Sequence, residues 1–403
     1  MQASNNSQIF LESIGKLLKK SLNIFTLNNI FNDYSTMYIT TSEELEKFCN
    51  DIAHNDYISI DTEFIRKNTY FPNLCLVQIS AGKKNALIDP LSKLLDLSII
   101  DQLLQNPKIT KILHSAKQDL ENFYILTGKL PKNIFDTQVA AGLCGLGASI
   151  SYESLVEKML RKKIDKSHCV SDWSIRPLAK AQLDYAIADV TYLYQIYPKL
   201  LKSIKAKKRI TWLEEEMDNL NQVDNLIVNP KQAWRKLKNL QKYPITSIVK
   251  ELAAWRELKA KNANIPRNHY LDESHLFTLA KVKPINLNEL RNIPYFNKIA
   301  DIKGEAIINV ICQALDQQLE HDLTNNNTNY SKINIELLKE LKKLLIVQAD
   351  KYAITSTIIA STEELKKLCI LDKTLPLNSK VLNGWRRDVF GDLALQLRTE
   401  FFS

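Results

Sequence analysis

The chain has 403 residues, of which 45% are hydrophobic and 25% charged, and a formal net charge of +9. The length predicts two or three domains, and the composition is typical of a soluble globular protein. The positive charge is compatible with a polyanionic partner, but it is weak evidence because many basic proteins bind no nucleic acid. The six cysteines form neither a CxxC pair nor a Cys/His cluster, so the sequence indicates neither a disulfide framework nor a zinc site.

The N-terminal segment 8–25 is basic and amphipathic. Lys16, Lys19 and Lys20 interrupt its apolar residues, so it lacks the pattern of a secretory signal. We expect a surface helix or a poorly ordered extension rather than a membrane anchor, with Met37 as an alternative start. No apolar run approaches the roughly 18 residues that would span a bilayer. The sequence therefore predicts a cytoplasmic protein without a membrane segment.

From Met37 onward, strands and helices alternate in the way that is typical of an α/β domain. Thr41 followed by Glu44 forms a capping box, which predicts that a helix begins directly after the first strand. Further strands are predicted in YISIDTEF, LCLVQISAG, NALIDP and KILHS. Helices are predicted over 91–105 and 117–127, and a long one ends near Lys202.

Beyond Lys205 the sequence shows helical periodicity and no convincing strand. The charge run KAKKR opens this half, and two polar stretches, NQVDNLIVNPKQ and TNNNTNYSKIN, read as connectors. The predicted organisation is an α/β domain followed by two helical domains. Its segments are an extension over 1–36, the α/β domain over 37–205, a linker over 206–230, a helical domain over 231–321, a linker over 322–334 and a helical domain over 335–403.

The apolar strand YISIDTEF contains two acids, Asp61 and Glu63. Side chains alternate across a strand, so these two carboxylates lie on one face and close together. Neighbouring carboxylates in a half-buried setting repel each other and usually persist only with a cation between them. A DxE triplet alone is weak evidence for a site, and its meaning depends on the acids that other segments add.

Two further segments, HSAKQDL and YAIAD, supply such acids. Asp119 lies in the first, and Tyr185 and Asp189 stand four residues apart in the second, on one face of the long helix. A solvated helix face or an ion pair with a lysine is the simpler interpretation of Asp189. The alternative hypothesis is that both aspartates join Asp61 and Glu63 in a cluster of four carboxylates.

Four acids in one cleft favour hard divalent cations, which prefer oxygen ligands. Two such ions can hold a phosphodiester and stabilise both its attacking and its leaving oxygen. Tyr185 would lie beside the attacking water. Because the ordinary pKa of tyrosine is about 10, it is a poor base, and orienting the water is the more reasonable role.

The segments DTEF, HSAKQD and YAIAD resemble the three motifs of the DEDD exonuclease superfamily, and the tyrosine before the last Asp is typical of its DEDDy branch. Nearly the whole of 37–205 is similar to the bacterial ribonuclease D family. The resemblance implies a ribonuclease H-like fold with a mixed sheet flanked by helices. It also implies 3′→5′ hydrolysis of RNA to nucleoside 5′-monophosphates with two Mg²⁺ or Mn²⁺ ions. Matched onto this sequence, the ligands are Asp61, Glu63, Asp119 and Asp189, and the catalytic residues are Tyr185 and Glu63.

Five other residues are candidate substrate contacts. Gln78 and His114 lie inside matched segments, although each is as readily explained as a satisfied polar group in the core. Lys166, Trp173 and Arg176 lie in a basic and aromatic loop that could hold phosphates and stack a base. Trp173 is equally well explained as a core residue.

Within the helical half, the segment that starts with ELAAWRELKAKNANIP at Glu251 resembles the helicase-and-RNase-D C-terminal (HRDC) domain. Residues 335–403 resemble a second, divergent copy. The family implies a monomer that acts on RNA, with tRNA precursors bearing single-stranded 3′ ends as its substrates. Two alternatives are a DNA proofreading-type exonuclease, since no motif fixes contacts to a 2′-hydroxyl, and a non-catalytic RNA-binding protein. The intact set of four acids and one tyrosine argues against the second.

Overall fold

A computed structural model describes residues 35–164, 171–238, 245–322, 334–370 and 379–402, with only the backbone of 317–322. The N-terminal segment 8–25 lies outside the described residues, as does the predicted linker around 324–333. Across the helices that the structure describes, none combines the length and the apolar character that crossing a membrane requires.

Six strands form one sheet in the order β1-β4-β3-β2-β5-β6. Their bounds are β1 Ser35–Ile39, β2 Tyr57–Ile65, β3 Asn73–Ala81, β4 Lys84–Ile88, β5 Thr110–Leu113 and β6 Ile134–Asp136. β1 and β4, β2 and β5, and β5 and β6 pair in parallel, whereas β3 and β4 are antiparallel. The sheet is therefore mixed, as predicted. The sequence did not predict β6, because three residues are too few for a strand pattern.

Helices flank this sheet. They are α1 Ser42–Ile52, α2 Ile99–Gln105, α3 Lys117–Thr127, α4 Thr137–Leu143, α5 Tyr152–Leu160, α6 Lys180–Ala206 and α7 Ile210–Leu220. The predicted capping box of α1 is confirmed, since the Thr41 side chain accepts from the Glu44 N–H and the Glu44 carboxylate accepts from the Thr41 N–H. The predicted helix over 91–105 forms only from Ile99. Upstream of Ile99, side chains form hydrogen bonds with the backbone; the Asp96 carboxylate, for example, accepts from the Ser98 N–H. Such bonds compete with helix formation.

The long helix α6 places the C-terminal acid motif against the sheet. Its apolar face packs against β2, β4 and β5, and it continues to Ala206, one turn beyond the predicted end. The Ser59 hydroxyl of β2 donates a hydrogen bond of 2.7 Å to the Val190 carbonyl of α6. This buried bond fixes the register between the strand that carries Asp61 and the helix that carries Asp189.

The chain forms two compact units. The first contains the sheet, its helices through Gln222 and the C-terminal block. In that block, α14 Ile335–Tyr352, α15 Ser356–Ile359, α16 Thr362–Leu368 and α18 Asp392–Phe402 surround the short turn α17 Gly384–Arg386 and the π-helical turn Arg387–Gly391, with a 3₁₀ turn over Lys380–Leu382.

The C-terminal block packs on α7 within this first unit. Trp385 stacks on Trp212 with ring centroids 4.6 Å apart, and Arg386 forms an ion pair with Glu216. Arg209 of the predicted charge run donates to the Leu143 and Tyr352 carbonyls. The structure therefore groups residues 334–370 and 379–402 with the α/β region, where the sequence pattern suggested a separate module.

The second unit is helical, apart from residues 66–73. It contains α8 Val223–Leu226, a 3₁₀ turn Pro230–Lys236, α9 Ser247–Asn262, α10 Arg267–Tyr270, α11 Glu273–Val282, α12 Leu287–Arg291 and α13 Asn297–Asp322. The segment 66–73, which joins β2 to β3, belongs to this unit because Asn264 accepts from the Tyr70 and Phe71 N–H groups at 3.1 and 3.0 Å. The sequence pattern did not predict this packing.

Candidate functional site

Three carboxylates meet at the carboxyl half of β2. Oxygens of Asp61 and Glu63 on β2 and of Asp189 on α6 all lie within 4.8 Å of one another. Asp61 and Glu63 are half-buried, and Asp189 is 7% exposed. The alternation of β2 places the first two acids on one face, and α6 crosses that face with its own acid. The structure thus brings together three of the four acids that the sequence singled out.

The fourth acid, Asp119, lies near this group without joining it. Burial and then the charge of Asp61 raise its pKa, and its Oδ1 accepts a hydrogen bond of 2.5 Å from the Thr62 hydroxyl. Thr62 stands between the two acids of β2 and points to the opposite face. The expected cluster of four acids is therefore a group of three with Asp119 beside it. The Asp119 carboxylate is instead hydrogen bonded to Thr62, whose side chain lies on the other face of β2.

Burial raises the pKa of each aspartate, and the charge of Asp61 adds to this rise at Asp119 and Asp189. Burial raises the pKa of Asp61 to about 6, from an ordinary value of 3.8. Burial, and then the charge of Asp61, raise the pKa of Asp119 and of Asp189 well above the usual range. A site that raises the pKa of its own acids in this way favours either protons or a bound cation.

Tyr185 lies one helical turn before Asp189, near enough for its hydroxyl to oppose the rise that burial causes in the pKa of that carboxylate. Burial, and then the charges of Asp189, Glu63 and Asp61, raise the pKa of Tyr185 above its ordinary value. The phenol therefore stays neutral at physiological pH. It can orient a neighbouring molecule by hydrogen bonding, but it cannot serve as a base.

The three-acid group has the chemistry of a divalent-cation site. Within the described part of the chain, no lysine or arginine is among the interactions that set the pKa of Asp61 or Asp189. Asp189 Oδ1 is buried and has no hydrogen-bond partner there. Carboxylate oxygens are hard ligands of the kind that Mg²⁺ and Mn²⁺ prefer. The residues present therefore fit such an ion.

The candidate substrate contacts have other positions. Gln78 and Trp173 are 0% and 2% exposed, so both lie in the interior, but the Gln78 amide and Trp173 Nε1 have no hydrogen-bond partner among the described residues. The Arg176 guanidinium is bound internally, donating to Asp89 at 2.6 and 2.7 Å and to the Cys75 and Trp173 carbonyls at 2.6 and 2.7 Å. The role of these three residues as substrate contacts stays a prediction. Lys166 lies outside the described residues.

His114 is half-buried, and its Nδ1 lies 2.9 Å from the Thr137 hydroxyl. Its Nε2 is buried without a hydrogen-bond partner among the described residues, and burial lowers the pKa of the ring. The ring lies 5.5 Å from that of Tyr152, whose hydroxyl donates to the Ala188 and Asp189 carbonyls. His114 is thus linked to the backbone of the acid group through Tyr152, and its role as a substrate contact stays a prediction.

Sequence reasoning missed Tyr152 and Glu153. Both lie at the start of α5, and the charge of Glu153 contributes to the raised pKa of Asp189. The sequence offers no local signal for them, because only the packing of α5 on α6 brings them to the site.

Comparison with known proteins agrees with this geometry. A family model described as a 3′–5′ exonuclease matches residues 36–205, and a model of the HRDC domain matches 246–311. Ribonuclease D from Bartonella henselae is 37% identical over 393 residues, which cover 95% of each chain. Ribonuclease D from Zymomonas mobilis is 37% identical over 89% of this chain and 93% of its own.

A solved structure shows the same architecture. Escherichia coli RNase D, described as an exoribonuclease involved in structured RNA processing, superimposes with a TM-score of 0.79 at 30% identity. The match covers 92% of this chain and 100% of the E. coli chain. The catalytic core of RRP6 from Trypanosoma brucei, at 19% identity and a TM-score of 0.53, shares the fold.

Proposed function

The chain belongs to the ribonuclease D family, and we propose that it removes nucleotides from the 3′ end of RNA by hydrolysis with two divalent metal ions. The observation that carries the proposal is the group of Asp61, Glu63 and Asp189, whose carboxylate oxygens all lie within 4.8 Å of one another. Carboxylates this close repel each other, and burial raises the pKa of both aspartates, so the group favours a bound divalent cation.

Each residue has a distinct part in this proposal. Asp61, Glu63 and Asp189 would hold an ion between them, and Asp61 with Asp119 would hold the second. When bound, the ions stabilise charge on the phosphoryl oxygens and make water a better nucleophile. The Tyr185 hydroxyl, one helical turn from Asp189, would orient the attacking water.

The substrate we propose is RNA with a single-stranded 3′ end, tRNA precursors in particular, and the product is a nucleoside 5′-monophosphate. The name of the E. coli relative, which refers to structured RNA, supports this substrate class. The HRDC domain would add affinity for phosphates without reading sequence. We further propose that the protein acts as a monomer in the cytoplasm with Mg²⁺ or Mn²⁺.

The test uses one RNA labelled at its 3′ end, the same RNA labelled at its 5′ end, and matched DNA. With Mg²⁺, the 3′ label should appear at once as a mononucleotide, while the 5′ label should shorten stepwise. EDTA should stop both reactions, and DNA should be degraded more slowly. Internal cleavage would contradict the proposal, and preferential digestion of DNA would support the proofreading-type alternative.

A further inference from the structure

Behind the acid group, three buried side chains form a chain of hydrogen bonds. The Thr62 hydroxyl donates to Asp119 Oδ1 at 2.5 Å, and Asn122 Nδ2 donates to Thr62 Oγ1 at 2.9 Å. All three are buried, with Asn122 only 3% exposed. The bonds therefore form away from solvent, where each is stronger than it would be in water.

The chemistry of the groups fixes the direction of these bonds. In the ionised form that binds a metal ion, the Asp119 carboxylate can only accept, so the single hydrogen of the Thr62 hydroxyl points to it. The Thr62 oxygen must then accept from Asn122, which turns the Nδ2 side of the amide toward it. Asn122 thus fixes the orientation of the Thr62 hydroxyl, and that hydroxyl fixes the position of one Asp119 oxygen.

This arrangement has a cost that stability alone does not explain. With its Nδ2 turned to Thr62, the Asn122 Oδ1 is buried and has no hydrogen-bond partner in the described part of the molecule. A buried polar atom without a partner destabilises the folded state. An apolar side chain of similar size would avoid that cost, so the amide is better explained by what it does for Thr62 and Asp119.

The positions in the sequence make the connection direct. Asn122 follows Asp119 by three residues on α3, so both lie on one face of that helix. Thr62 lies between Asp61 and Glu63 and points to the opposite face of β2. One hydroxyl therefore links the strand with two candidate ligands to the helix with a third.

We propose that Thr62 and Asn122 are positioning residues that hold the Asp119 carboxylate in one orientation toward the metal ions. Oδ1 is engaged by Thr62, so Oδ2 is the oxygen left for a cation. This inference rests on the proposed function, which makes Asp119 a ligand. Partners that orient metal ligands in this way typically change metal affinity or activity by about 10- to 100-fold when they are replaced.

The first test compares Thr62→Val with Thr62→Ser. The valine removes the hydroxyl and keeps the shape, whereas the serine restores the hydroxyl. In an electron paramagnetic resonance titration without RNA, Thr62→Val should weaken Mn²⁺ binding about 10- to 100-fold and Thr62→Ser should recover most of it. On a short RNA, Thr62→Val should lower kcat and leave KM nearly unchanged.

The second test uses Asn122→Leu and decides the question alone if Thr62→Val does not fold. The leucine removes both the donor to Thr62 and the oxygen without a partner. We expect an unchanged or higher thermal midpoint together with weaker Mn²⁺ binding. A lower midpoint with unchanged Mn²⁺ binding would show that Asn122 is structural and would overturn the inference.

Asp119→Asn separates this inference from the proposed function. If Asp119→Asn leaves Mn²⁺ binding and hydrolysis unchanged, the proposed metal role of Asp119 fails. If Asp119→Asn impairs both while Thr62→Val and Asn122→Leu bind Mn²⁺ as the wild type does, only the positioning role fails. Circular dichroism on every variant ensures that folded proteins are compared.

Discussion

Asp89 and the acid group both lie in the first unit, and the two places treat the charge of an aspartate in opposite ways. Asp89, which directly follows β4, accepts from Arg176 at 2.6 and 2.7 Å and from the Tyr38 hydroxyl at 2.7 Å. Burial acts to raise its pKa, but these hydrogen bonds outweigh burial, and the pKa lies below its ordinary value. At Asp61 and Asp189, no lysine or arginine of the described residues offsets burial, and the pKa of both is raised.

The difference separates a structural acid from one that is kept for a ligand. The second unit repeats the structural solution, since Glu257 is 1% exposed and is bound by Arg267 and the Tyr70 hydroxyl. The protein thus pairs buried acids internally where they only hold the fold. At Asp61 and Asp189, no lysine or arginine of the described residues contributes to the pKa, which fits a positive charge supplied by a bound cation.

The largest expected effect comes from neutralising one acid at each place. Asp189→Asn should lower turnover at least about 10²-fold, since metal stabilisation of the transition state is worth several kcal/mol. Its thermal midpoint should stay the same or rise, because a repulsive charge is removed. Turnover and thermal unfolding are measured on the same preparations.

Asp89→Asn is the matched control for this substitution. It should lose about 3 kcal/mol of stability, because Arg176 is left without its partner, while turnover per folded molecule is kept. Near wild-type turnover in Asp189→Asn would contradict the distinction between the two places.

The next effect concerns the neutral hydroxyl beside the acid group. Tyr185→Phe should lower kcat about 10²- to 10⁴-fold, a range typical of groups that assist proton transfer or positioning. RNA affinity should change little, because the ring that packs is retained. Tyr194→Phe on the same helix, where the ring stacks on Tyr57, serves as the control. Equal turnover in the two variants would reduce Tyr185 to a packing residue.

A smaller effect is the stabilisation of the folded protein by metal alone. At a concentration 100 times the dissociation constant, Mn²⁺ should add about 2.7 kcal/mol to the free energy of unfolding. Asp89→Asn should keep this gain and Asp189→Asn should lose it. Denaturant titrations with and without Mn²⁺ measure this gain in each variant. An equal gain in the two variants would show that Mn²⁺ binds at a site that does not include Asp189.

The smallest effect is a pH dependence in the metal-free protein. The pKa of Asp61 is about 6 in the folded state against 3.8 ordinarily, so the folded state binds more protons between these values. Through this group, the free energy of unfolding therefore falls as pH rises from about 4 to 6. Asp61→Asn removes that contribution, so the variant should gain stability relative to wild type at pH 7.5 but not at pH 4. Urea unfolding in EDTA at the two pH values checks this, and a pH-independent difference would contradict it.

The sequence was sufficient where the evidence lies within one element. The alternation of β2 placed Asp61 and Glu63 together, and the spacing of four residues on α6 placed Tyr185 against Asp189. Local geometry sets both relations, since successive side chains of a strand or a helix have fixed directions.

The sequence was insufficient where contacts join distant elements. The bond between Thr62 and Asp119 spans 57 positions, and the ion pair that fixes Arg176 to Asp89 spans 87. Arg176 illustrates the difficulty, because an arginine that binds phosphate and one that anchors a loop are the same in a sequence pattern. Only the packing of the loop on β3 and β4 distinguishes them.

Asp61, Glu63 and Asp189 are proposed to bind a divalent cation, and anomalous scattering from crystals soaked in Mn²⁺ tests this binding directly. We expect an anomalous peak among these three side chains, about 2.1 Å from their carboxylate oxygens. We also expect that Asp189→Asn crystals lose this peak. A peak that lies only at other residues, in crystals of active enzyme, would contradict the proposal.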